Sequence, residues 1–223
     1  KWQYIGGVLN PETEEFTVSL NHFSKYALLA NHEMQRFDDV DGRWSENYIK
    51  ALHSLGIVNG IPYGAGYRFD PEREISRIEF TKMVVEALLQ TNQIEDIQQD
   101  MPLPFTDSSQ IPEWGRKYAS LACSNNIISG RGTKGGPAFD AYAPITKAEA
   151  AVILGRTLDD PEKTAESNFI DKNRFPSWAR DSIELLWRKG IVQGDSNHLF
   201  VPDKNLTREE AASMIMKWIN SSY

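Results

Sequence analysis

The sequence is short of the residues that most active-site chemistry needs. It holds one cysteine, Cys123, in 223 residues, and a lone thiol can neither close an intrachain disulfide nor build a cysteine zinc site. Cys123 ends the apolar stretch Leu121-Ala122-Cys123 with no histidine nearby, which reads as a buried structural thiol rather than a nucleophile. Four histidines, His22, His32, His53 and His198, show no metal-ligand spacing, so no metal and no cofactor is expected. Asp39-Val40-Asp41-Gly42 opens like a calcium loop, but Trp44 and Lys50 stand at its sixth and twelfth positions, where an EF-hand needs Gly and a bidentate Glu. No Gly-x-Ser-x-Gly, Walker A or dinucleotide fingerprint occurs. No apolar run approaches the ~18 residues of a membrane span. Basic residues are outnumbered, 24 to 31, for a formal net charge of -7. That argues against nonspecific nucleic-acid binding, which needs a net basic face, and leaves room for small basic pockets. The chain opens at Lys1 with neither Met nor signal peptide and reads as a segment of a longer parent.

Apolar residues make up 40% of the chain, enough for a real core. Six Trp, eight Tyr and ten Phe suit either that core or a carbohydrate-facing surface. Their placement is periodic. Trp44, Trp114 and Trp178 are followed twelve residues later by Gly56, Asn126 and Gly190, and sixteen residues later by Gly60, Gly130 and Gly194. Phe37-Asp38-Asp39, Phe105-Thr106-Asp107 and Phe169-Ile170-Asp171 precede them. A short box follows: Ser76-Arg77-Ile78-Glu79, Thr146-Lys147-Ala148-Glu149 and Thr207-Arg208-Glu209-Glu210. Trp to box Glu is 35, 35 and 32 residues. Offsets matched at this many positions define three copies of one unit, over residues 37–92, 105–160 and 169–220.

Each unit reads as helix, loop, helix, so the fold class is mainly α. In the first copy Trp44, Tyr48, Ala51, Leu52 and Leu55 fall at helical spacing. Gly56, Asn126 and Gly190 suit the left-handed residue that ends a helix. The box is a capping box: the hydroxyl of Ser76, Thr146 or Thr207 caps the third helical N–H, and the Glu reaches back to the cap's own N–H. Two of the loops between helices are glycine-rich. Residues 1–35 read differently, with strands over 2–9 and 16–20 around Asn10-Pro11-Glu12 and a further short element over 23–29. They are expected to be the tail of an upstream β domain or a small hairpin.

The order Phe-x-Asp, Trp, Gly-Ile, Gly, Phe-x-Pro, Ile-Thr-Arg-x-Glu resembles the S-layer homology (SLH) domain, in which three tandem copies are usual. The first copy carries it as Phe69-Asp70-Pro71 and Ile75-Ser76-Arg77-Ile78-Glu79, the third as Phe200-Val201-Pro202 and Leu206-Thr207-Arg208-Glu209-Glu210. The second departs with Ala141 for Pro, Asn126 for Gly and Lys147 for Arg. The resemblance implies one pseudo-threefold unit around a central three-helix bundle, with grooves between neighbouring repeats. It implies binding of secondary cell-wall polysaccharide of Gram-positive bacteria through pyruvylated N-acetylmannosamine, anchoring an S-layer protein or exoenzyme to the wall. By motif position it puts Asp39, Asp107 and Asp171, the cations Arg77, Lys147 and Arg208, and Gly60, Gly130 and Gly194 at the ligand.

The residues themselves pose a question at the box. A cation occupies the first helical position in all three copies, where the helix dipole disfavours it by roughly 0.3–1 kcal/mol. An anion at the helix start, met by backbone N–H groups and by the cation, would explain it. A pairing with Glu79 or Asp39 would explain it equally. The capping hydroxyls would border such a site. Trp44, Trp114 and Trp178 either stack on sugar rings or plug the core, and core is the expectation for most of their surface. The three aspartates either accept from sugar hydroxyls or tie loops. Besides a noncatalytic anchor, two readings remain: a glycosidase with two carboxylates ~5–9.5 Å apart, and a purely structural stack of helix pairs.

Overall fold

The computed structural model describes residues 8–10, 15–17, 36–96, 102–159 and 165–221, which are mostly helical with small strand pairs. Strands β1 (Val8–Asn10) and β2 (Glu15–Thr17) pair antiparallel, with Leu9 opposite Phe16. The rest of the two strands expected there, and the element over 23–29, lie outside the described residues.

The first unit runs α1 (Glu46–Ser54), β3 (Ile61–Tyr63), β4 (Gly66–Arg68) and α2 (Arg77–Gln90). The second repeats it as α3 (Glu113–Ser124), β5 (Arg131–Thr133), β6 (Gly136–Ala138) and α4 (Lys147–Gly155). The third has α5 (Arg180–Arg188) and α6 (Arg208–Ser221). The glycine-rich loops are thus antiparallel hairpins, β3 with β4 and β5 with β6. In the shorter third loop a side chain makes the turn instead, as the Asp195 carboxylate accepts from the N–H groups of Asn197 and Leu199.

The first helix of each unit stops as its sequence dictates. Gly56, Asn126 and Gly190 take φ of +73°, +58° and +71°. The next N–H then turns back five residues, from Ile57 to the Leu52 carbonyl, Ile127 to Ala122 and Ile191 to Leu186. This closure satisfies orphan carbonyls and points Ile57, Ile127 and Ile191 into the core.

The second helix of each unit packs on the first helix of the next: α2 on α3, α4 on α5, and α6 back on α1. Helix α2 also meets α4 and α6. A closed ring of backbone bonds joins the three boxes: Ile75 N–H donates to Leu206 O (3.0 Å), Leu206 N–H to Ile145 O (2.9 Å) and Ile145 N–H to Ile75 O (3.1 Å). All three side chains are buried in one continuous core, with Phe69, Phe139 and Phe200 fully enclosed. The main helix-to-helix contacts therefore run between units rather than within one.

Candidate binding groove

The chemistry of the boxes starts from the free amides of a helix N-terminus. In each copy the hydroxyl of Ser76, Thr146 or Thr207 accepts from the box Glu N–H, and the Glu carboxylate accepts from the cap's N–H. The two amides between are taken by the loop of another unit. Arg77 and Ile78 donate to Ala143 and Ala141, Lys147 and Ala148 to Lys204 and Pro202, Arg208 and Glu209 to Arg73 and Pro71, all at 2.9–3.1 Å. These three box helices therefore keep none of their first amides for an anion, and the anion alternative loses its backbone donors: they are spent on joining units.

The cations take part in the same junctions. Arg77 Nε donates to Phe139 O at 2.9 Å, its guanidinium lies over the Phe139 ring, and it pairs with Glu149 at 3.4 Å. Arg208 repeats this on the first unit, with Nε to Phe69 O at 2.8 Å, the Phe69 ring beneath it and Glu79 at 3.4 Å. Among the described residues Lys147 reaches only the ring of Phe200, 4.9 Å from its centroid. The acid that pairs with Arg77 is thus the box Glu of the following unit, not Glu79 or Asp39. Burial drives the pKa of all three cations down, because each is held where water solvates it poorly. Burial also pushes Glu79 up, but hydrogen bonds from Arg73 and Ser76 outweigh it and hold the carboxyl at about 2.

The aspartates tie loops. Both carboxylate oxygens of Asp39 accept backbone N–H bonds, from Phe69 and Asp70; Asp107 holds Phe139 and Asp140, and Asp171 holds Phe200 and Val201. Asp70, Asp140 and Val201 have φ of +62°, +62° and +55°, a conformation that non-glycine residues rarely adopt. The fork pins that turn. Gly60, Gly130 and Gly194 are needed for close approach: a Cβ would come within 2.6 Å of the Phe37 ring, 2.8 Å of Ala138 O and 2.8 Å of His198 Cα respectively.

The tryptophans correct another expectation. Trp44, Trp114 and Trp178 are 58%, 50% and 60% exposed, so half or more of each residue is open to solvent. Trp178 borders a groove of about 370 Å³ between the second and third units, together with Arg77, Gly130, Arg131, Glu149 and Arg156. Three of the expected residues, one from each unit, thus meet there. By repeat position the matching sets are Arg208, Gly60 and Trp114, and Lys147, Gly194 and Trp44. Arg131 grips Glu149 through two nitrogens, at 2.7 and 2.8 Å. Arg156 is anchored on Ile127 O and Ser129 Oγ. Neither arginine was signalled by the box; Arg131 directly follows Gly130, and Arg156 stands seven residues, two helical turns, beyond Glu149 on the same helix face. The groove offers an aromatic face beside guanidinium groups, an arrangement suited to a sugar with an anionic substituent.

The fold and groove define a repeat module whose candidate ligand surface is assembled between units. The S-layer homology domain model matches residues 36–81 and 168–212. The middle unit, between the two matches, has the same capping box and aspartate fork as both, and the hairpin of the first. The chain is 29% identical over 227 residues to an amylopullulanase of Thermoanaerobacterium thermosulfurigenes, covering 100% of this chain and 11% of that protein. It is 27% identical over 137 residues to a surface-layer 125 kDa protein of Lysinibacillus sphaericus (60% of this chain, 11% of that one). It is 26% identical over 191 residues to the S-layer protein sap of Bacillus anthracis (82% and 22%). The chain therefore spans between about a tenth and a quarter of the length of these relatives.

Proposed function

We propose that the chain is a noncatalytic anchor that binds secondary cell-wall polysaccharide, pyruvylated on N-acetylmannosamine, and holds a longer S-layer protein or exoenzyme at the extracellular wall of a Gram-positive bacterium. The observation that carries this reading is the groove in which Arg77 and Trp178, from different units, face one space beside Gly130. The likeness to both surface-layer proteins and an enzyme supports a shared anchoring part rather than a shared reaction. We take the units as residues 37–92, 105–160 and 169–220, arranged with pseudo-threefold symmetry around a central bundle of α2, α4 and α6. The closed ring at Ile75, Ile145 and Leu206 supports that arrangement and disfavours an open stack of helix pairs. Residues 1–35 then belong to an upstream β domain or hairpin. Arg77, Lys147 and Arg208 with the three tryptophans contact the glycan, whereas the aspartates, glycines and capping hydroxyls shape the grooves. The glycosidase alternative draws no support from this groove: Glu149 is the one carboxylate among its lining residues, and Arg131 and the Thr146 N–H occupy it. Sedimentation with purified walls tests the reading. The chain should pellet with native walls and stay in solution with walls stripped of pyruvyl groups; equal pelleting with both would refute the ligand.

A further inference from the structure

The three grooves are alike in the family motif and unlike in charge. Position by position, Arg131 corresponds to Ile61 and Asp195, and Arg156 to Glu86 and Lys217. The groove beside Trp178 therefore lines up Arg77, Arg131 and Arg156 against one carboxylate, Glu149. Arg131 is already engaged by Glu149 and Asp140. Arg156 is exposed and held only by neutral oxygens of Ile127 and Ser129, and among the described residues no carboxylate lies within ion-pair distance of it. The corresponding place in the first unit holds Glu86, which accepts from the Tyr118 hydroxyl and puts negative charge there instead.

We propose that the groove between the second and third units is the chain's principal site for an acidic saccharide, and that Arg156 is a specificity-determining residue, meeting the anionic substituent together with Arg77 while Trp178 carries the sugar ring. The proposal rests on the anchoring function argued above, and adds a ranking and a residue to it. A carboxylate gains a charge-assisted hydrogen bond from a guanidinium that is held in place by neutral oxygens before binding and paired with no carboxylate among the described residues, so little side-chain ordering opposes the gain. Glu86 at the equivalent place repels the same substituent, which ranks the groove on the first unit lower although it shares the box arginine.

The test is calorimetric titration of the full chain with a pyruvylated N-acetylmannosamine disaccharide and with its unpyruvylated twin. Arg156→Glu should weaken the tightest site for the pyruvylated probe at least tenfold, with little change for the twin and an unchanged melting curve. Arg156→Lys should recover part of that loss. Glu86→Arg should strengthen the weaker class of site. Binding by the parent chain with no response to Arg156→Glu would overturn this inference alone. Equal weakening for both probes would overturn the role of charge. Failure of the parent chain to bind either probe would overturn the anchoring function itself.

Discussion

At the scale of single residues, the repeated motif is mostly a set of joints. Asp171 shows this most clearly, being buried with its carboxylate oxygens on the Phe200 and Val201 N–H groups at 2.9 Å. Asp171→Ala would leave those amides without their acceptor, each costing about 1–3 kcal/mol, and would release a β-branched residue held at φ +55°. A lower urea midpoint is therefore expected before any loss of ligand affinity; unchanged stability with lost binding would make the aspartate a ligand contact instead. Glu79 gives a pH signature. Its folded pKa of about 2 lies below the ordinary 4.5, so the carboxylate contributes stability above pH 4.5, and that contribution fades as pH falls toward 2. The full effect is up to about 3 kcal/mol. Denaturation midpoints of the parent chain should fall more steeply than those of Glu79→Gln between pH 5 and 2, and parallel curves would contradict the assignment. The caps, the left-handed helix ends and the box pairings were legible in the sequence because they follow from near neighbours. The partners of Arg77, Glu149 and Phe139, were not, since they lie 72 and 62 residues away.

At the scale of helices and hairpins, sequence periodicity identified the helices but not what each one touches. An apolar stripe says only that a face is buried; it is equally satisfied by a helix of the same unit or of the next. The hairpins were read as loops because two three-residue strands carry too little alternation to register, although the Gly64-Ala65-Gly66 turn marked one of them. The exposed tryptophans misled for a related reason: Trp44 stands just before α1, and Trp114, in the first turn of α3, lies on an exposed face, so a place in or beside a helix did not mean burial. Pairing across units makes a sharp expectation. Residues 37–92 alone contain α1 and α2 but lack α3 and α6, their main partners. That fragment should show little helix by circular dichroism and no cooperative melt, since isolated helices of this length are marginal in water. A cooperative transition in the fragment would contradict the packing.

At the scale of the whole molecule, the chain closes on itself. The last helix, α6, returns to the first, α1, and charged groups reinforce that junction. Arg43 donates to both oxygens of Glu209, at 3.0 and 3.1 Å, and Ser45 donates to the same carboxylate at 2.6 Å. Ile78 and Ala148 occupy the positions equivalent to Glu209 in the other units, so this ionic joint is particular to the closure. Removing residues 169–223 should therefore destabilise the first unit as well as deleting the third; a truncated chain that keeps the parent's melting temperature would contradict a closed ring. The proposed function depends on closure, because each proposed groove draws its cation, glycine and tryptophan from three different units. The most direct measurement of that claim is titration of the intact chain with the pyruvylated disaccharide, with Trp178→Ala and the truncated chain alongside. Saturable binding that is weakened by Trp178→Ala and lost on truncation is the result the account predicts. Binding of equal strength in all three would contradict it.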